Sequence, residues 1–220
     1  MQDSFNELIP EYISKEEFFR YGCEKTIYIS DEKVKSEWKA LKDKINGNKA
    51  VFMRSAGKSM SDNHLYFNFY KKLFNNENIK KDPSNTQNPS KIIEDLTGLK
   101  KSKDLKNYQV ASIFGRSKNI FAFTAPWNIV YMPKILDALV ANDSQDPLAI
   151  EYRAAFESYA YNKFKPYIEE FNDIVTNIHF TRGRDSYLTL LYDDKIHDRE
   201  ALVKFEDALH EEFAPITLKA

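Results

Sequence analysis

Catalysis needs groups that move protons, hold metal ions or neutralise phosphate, and this sequence offers few in recognisable patterns. Its four histidines, His64, His179, His197 and His210, have no second His, Cys or carboxylate at metal-ligand spacing. Asp193, Asp194 and Asp198 flank His197, an arrangement that belongs more often to a solvated loop than to an acid site. The segment RSAGKS follows an apolar run and ends in Gly57-Lys58-Ser59, the closing residues of a phosphate-binding loop. Such a loop needs another glycine five residues earlier, so that its amides can curl around the phosphates, and Phe52 stands there. Nucleotide binding is therefore not expected. Arg54 and Lys58 keep a role as phosphate contacts, since small neighbours let a backbone approach.

The net charge of −1 conceals an uneven distribution. Residues 99–134 carry Lys100, Lys101, Lys103, Lys106, Arg116, Lys118 and Lys134 against Asp104 alone, whereas residues 135–220 carry nine basic against 17 acidic side chains, for −8. A basic centre beside an acidic C-terminal part suits an anionic partner, although a solvated lysine loop looks the same from composition. Cys23 is the single cysteine, which rules out an internal disulfide and points to a reducing compartment. No apolar run is long enough to span a membrane, and the N-terminus lacks the basic start and apolar block of a signal peptide. A cytoplasmic location without membrane partners is the expectation.

These groups must be positioned by local elements. Ser14 with Glu17 forms a capping-box pattern and opens a helix that Gly22 is expected to end. KTIYIS, residues 25–30, reads as a strand. Val34, Trp38, Leu41 and Ile45 share one helical face, stopped by Asn46-Gly47. Residues 49–53 read as a buried strand, and a helix with Leu65, Phe69, Leu73 and Phe74 on its apolar side begins near Asn63. Residues 75–90 read as loop, followed by a short helix closed by Gly98. NYQVASIF, residues 107–114, alternates as a strand, GRSKN as a turn, and Ile129–Met132 as a second apolar run. Asp146-Pro147 starts a helix to about Phe164, Pro166 starts another, and Asp198 or Arg199 starts a last one. His179, between Ile178 and Phe180, fits a strand face.

The stretch 107–143 carries the most specific signal. Tyr108, Ile113-Phe114-Gly115, Lys118-Asn119, Pro126-Trp127-Asn128-Ile129, Tyr131, Pro133-Lys134-Ile135 and Asp137 together resemble the core of HNH-type (ββα-metal) nucleases of the restriction type. The resemblance implies a hairpin whose first strand ends in a histidine that deprotonates the attacking water. An asparagine holds that imidazole, and a later His or Asn binds one divalent cation that stabilises the phosphorane and the leaving oxygen. Asn128 matches the asparagine. Asn142, with Asp143 beside it, matches the metal position, implying Mg²⁺ or Mn²⁺ as cofactor. The base slot falls at Ser112, with Ala111 as the alternative slot, and neither side chain can take a proton near pH 7. Either the chain is a relative that has lost cleavage, or its histidine has been replaced, or the register is shifted by one residue.

The expected architecture is an α+β single domain over 1–220. It is mainly helical and encloses a small antiparallel hairpin-helix core at 107–143, with an N-terminal α/β part at 1–98 and C-terminal helices at 146–214. The expected function is that of an HNH-type endonuclease acting on double-stranded DNA, inactive where the base is missing, and a homodimer by analogy with palindrome-cutting enzymes. Lys103, Lys106, Arg116 and Lys118 would hold phosphate, making binding fall steeply with salt. Tyr108, Phe121, Phe123 and Trp127 read as core, not as base-stacking residues. Two other classes fit the same sequence. A non-catalytic nucleic-acid-binding protein would need no metal, and a helical protein–protein interaction module would not bind DNA at all.

Overall fold

The computed structural model describes residue 9 and residues 11–56, 60–140, 145–194 and 198–218. Helix α1 (Lys15–Lys25) opens on the capping box: the Ser14 hydroxyl accepts from the Glu17 amide while the Glu17 carboxylate accepts from Ser14. Gly22 does not end it. The helix runs on to Lys25 because the Tyr152 ring and hydroxyl occupy the space where a side chain at position 22 would stand. The glycine is there for close approach, not for a turn. The strand expected at residues 25–30 shrinks to β1 (Ile27–Tyr28).

Helix α2 (Asp31–Asn46) buries Val34, Trp38, Leu41 and Ile45, the face its spacing predicts. Strand β2 (Val51–Met53) pairs in parallel with β3 (Ile79–Lys81), which lies in the stretch read as loop. Three residues carry too little alternation to register in a sequence pattern. Between them runs α3 (Met60–Phe74). Helix α4 (Gln87–Thr97) begins inside that same stretch and ends on Gly98 with φ +74°, a left-handed stop. Its start is fixed from outside: buried Asp82 accepts from the amides of Ser84, Gln87 and Asn88.

Strands β4 (Tyr108–Ser112) and β5 (Ile129–Pro133) are antiparallel, and β1 adds on the far side of β5 to give the order β1-β5-β4. β5, central and buried along its whole length, is the spine of the core. It leads through a 3-10 turn into the short helix α5 (Asp137–Val140).

Asp146 caps α6 (Pro147–Thr176) by accepting from Leu148 and Ala149. As the sequence suggests, two helical segments meet here: Phe164 leaves the helical conformation at the junction, and Pro166 stands at the start of the second segment. The buried face on both sides of the kink keeps the path continuous. Helix α7 (Ile178–Asp193) corrects the strand reading of His179, which stands in its first turn with its amide donating to the Asn177 side chain. A few apolar residues around a histidine fit either period, and length decides for helix. Helix α8 (Arg199–Glu212) follows its Asp198 cap. Buried side chains from α1, α2, α3, β5, α6 and α8 join one continuous core, making this an α+β protein that is mainly helical with a small antiparallel sheet. Among the described residues, no helix is long and apolar enough to cross a membrane.

Candidate functional site

The segment 113–128 linking β4 to β5 is a connection with almost no freedom. Phe121, Phe123 and Trp127 are buried, as their core reading expects, and Tyr108 is half-buried against the core. Trp127 lies edge-on to Trp38 with ring centroids 5.7 Å apart, and against Phe171 at 5.5 Å. Polar groups of Tyr70, Glu212 and Arg54 brace the backbone from outside. The Tyr70 hydroxyl donates to the Lys118 carbonyl at 2.6 Å. The Glu212 carboxylate accepts from the amides of Lys118 and Asn119 at 3.0 and 3.1 Å. Buried Asn119 donates to the Glu212 carbonyl. The Arg54 amide donates to the Ser117 carbonyl at 2.8 Å.

Asn128 closes the loop from inside. It is fully buried, its carboxamide donates to the carbonyls of Gly115 and Ala122, and its oxygen accepts from the Phe114 amide. Every one of these partners is backbone, so Asn128 acts on the chain path and does not touch the side chain at position 112. The link to that position is indirect. The Gly115 carbonyl that Asn128 holds at 3.0 Å also accepts from the Ser112 hydroxyl at 2.9 Å.

Ser112 is the exposed last residue of β4. Ala111 is half-buried and shares its strand face with Gln109, because side chains two apart point the same way. Gln109 donates to the Asp137 carboxylate at 2.6 Å, so that face is the one meeting the start of α5. Asn142 and Asp143 lie outside the described residues, as does Lys58. Among the described residues no three His, Cys, Asp or Glu side chains come together as a metal site. Asp193 and Asp194 end α7 and Asp198 caps α8, while His197 lies outside the described residues.

The basic residues fall into two groups. Arg54, Arg116 and Lys118 gather around Ser117, since the Arg54 backbone is bonded to it. Lys103 and Lys106 are exposed on the turn before β4, at the other end of that five-residue strand from the loop. Arg116 is no ordinary surface cation. It is half-buried with φ +58°, and its guanidinium donates to the Glu211 carbonyl. Burial pulls its pKa down, opposed by the carboxylates of Glu212, Glu211 and Glu157.

Glu212 was invisible to sequence reasoning, as was Tyr70, because no pattern links either residue to a loop so distant in the chain. Burial raises the Glu212 pKa above the ordinary carboxylate value, against the charges of Lys118 and Arg116 and the two amides it accepts from.

An α+β fold with a braced hairpin and a following helix is thus the class of molecule on view. The chain belongs to the family described as Uncharacterised protein PM1201, whose sequence profile matches residues 29–218. It is 42% identical over 164 residues to Uncharacterized protein PM1201 of Pasteurella multocida (strain Pm70), a match covering 74% of either chain. No solved structure matches the chain.

Proposed function

We propose that this protein binds double-stranded DNA through an HNH-like hairpin-helix core, and that it is a phosphodiesterase scaffold lacking its general base. The observation that carries the reading is the Gly115 carbonyl shared by Asn128 and Ser112. An imidazole at position 112 would have a fixed backbone acceptor for one ring nitrogen, leaving the other for water, as general-base chemistry requires. Asn128 would then orient the base through Gly115. Ser112 suits the slot better than Ala111, because it ends the strand and its side chain already uses that acceptor.

Mg²⁺ or Mn²⁺ would be held by Asn142 and Asp143. The ion would supply charge neutralisation at the leaving oxygen. Lys103, Lys106 and Lys118 would contact the phosphate backbone.

The test compares the native chain with Ser112→His and Ala111→His in plasmid cleavage and gel-shift assays with Mg²⁺ or Mn²⁺. Cutting by Ser112→His alone, on top of salt-sensitive binding by all three, is the expected result. If no variant cuts and none binds DNA at low salt, the reading fails and a protein-interaction role takes its place.

A further inference from the structure

A cleft of about 480 Å³ opens where the loop 113–128, helix α6 and the residues after α8 meet. Arg116 of the loop, Arg153 and Glu157 of α6 and Glu211 of α8 contribute to its lining. Arg153 and Glu157 are a helical turn apart on the same face of α6.

Three features of Arg116 set it apart. Its backbone adopts φ +58°, a conformation that non-glycine residues take at a cost and that concentrates at functional positions. One edge of its guanidinium is fixed by the Glu211 carbonyl. Its Nε–H is buried and has no hydrogen-bond partner among the described residues. Buried donors are nearly always satisfied, so this unmatched donor on a residue that lines the cleft calls for an acceptor.

The charges define that acceptor. Among the described lining residues, two guanidiniums and two carboxylates leave the cleft without net charge, which disfavours a multiply charged anion. An oxyanion with a single charge and two acceptor oxygens suits a guanidinium edge. We infer that the cleft is a subsite for one phosphodiester of a nucleic-acid backbone, gripped by Arg116 with Arg153 as the second cation. The inference rests on the DNA-binding reading and deepens it. Phe114 also lines the cleft, two residues past Ser112, so the bound phosphate would flank the position where cutting would occur.

The Arg116 Nε–H gives a direct reporter in ¹H–¹⁵N spectra of the whole protein. It is followed while titrating dithymidine monophosphate, inorganic phosphate, or a short DNA duplex. The expected result is a saturable shift with dithymidine monophosphate and with duplex, and little with inorganic phosphate. Arg153→Gln should weaken dithymidine monophosphate binding about tenfold, the scale of one charge-assisted hydrogen bond. Arg116→Lys should abolish the signal and weaken binding similarly. If Arg116→Lys does not fold, the native titration and Arg153→Gln decide. An unmoved Nε–H in a protein that still binds duplex overturns the subsite while sparing the DNA reading. A response to inorganic phosphate equal to that of the dinucleotide overturns it as well. A shifted Nε–H with dithymidine monophosphate in a chain that does not bind duplex overturns the nucleic-acid subsite together with the DNA reading.

Discussion

Two stretches that carry the basic residues of the chain's centre are built in opposite ways. The loop 113–128 is mostly buried, and it is braced by hydrogen bonds with Tyr70 of α3 and Glu212 of α8 and, from within, by its own Asn128. The turn 100–106 is exposed, and its few bonds are local, from Lys103 to the Lys100 carbonyl and from the Lys100 amide to Asp104. Both carry positive charge, but only the first can hold a side chain to a fraction of an ångström. Preorganisation comes from cross-braced burial, whereas charge on a turn contributes attraction without geometry. A binding protein that orients a phosphate needs both.

Substitutions separate the two regions, and the largest effect belongs to the loop. Asn128→Ala leaves the carbonyls of Gly115 and Ala122 and the amide of Phe114 without the carboxamide that joins them in a buried site. We expect a loss of about 3–4 kcal/mol in urea unfolding. A loss below about 1 kcal/mol would mean that water replaces the carboxamide and that the loop is not held as described.

Glu212→Gln should act through pH. The carboxyl is favoured in its protonated form in the folded state, so the folded protein binds more protons than the unfolded chain above the ordinary glutamate value of 4.5. Its contribution to stability therefore falls as pH rises from there through the raised folded value. Glutamine keeps an oxygen for the Lys118 and Asn119 amides and removes that slope, which unfolding curves across a range of about pH 4 to 8 can resolve. An unchanged slope would place the titration elsewhere.

Asp82 supplies the contrast in sign. Burial alone would raise its pKa, but the hydrogen bonds from Asn88, Gln87 and Ser84 outweigh burial and hold it below the ordinary aspartate value of 3.8. Its stabilising contribution is present above that value and is lost as pH falls through the lowered one. Asp82→Asn should destabilise the protein by roughly 1–2 kcal/mol near pH 7, and by less near pH 3, again read from urea unfolding.

The smallest effect on stability belongs to the turn. Lys103→Gln with Lys106→Gln should change the unfolding free energy by less than about 0.5 kcal/mol. The same pair should lower the slope of log affinity against log salt for DNA by about 2, one for each phosphate no longer neutralised. A large stability change would show that the turn is not the loosely tied element described, and an unchanged slope would take it out of the interface.

Much of the local structure was legible beforehand. The caps at Ser14 and Asp146, the buried face of α2 and the stop at Gly98 follow from short-range rules that tertiary packing does not override here, and the strand read at 107–114 and the apolar run at 129–132 become β4 and β5 with shifted ends. The site was legible only as positions. The motif around Asn128 marks it as special, but nothing in the sequence says that its carboxamide binds three backbone groups and reaches position 112 only through Gly115.

Composition, spacing and caps by themselves determined the helical face of α2, the hairpin and the basic centre. Tertiary structure decided the rest. Gly22 lies inside a helix, where Tyr152 fills the space of a side chain, and β3 exists because β2 lies beside it. Glu212 meets the loop because α8 packs back across it. These outcomes rest on contacts between residues far apart in the chain, and local periodicity holds no information about which distant group will supply a partner.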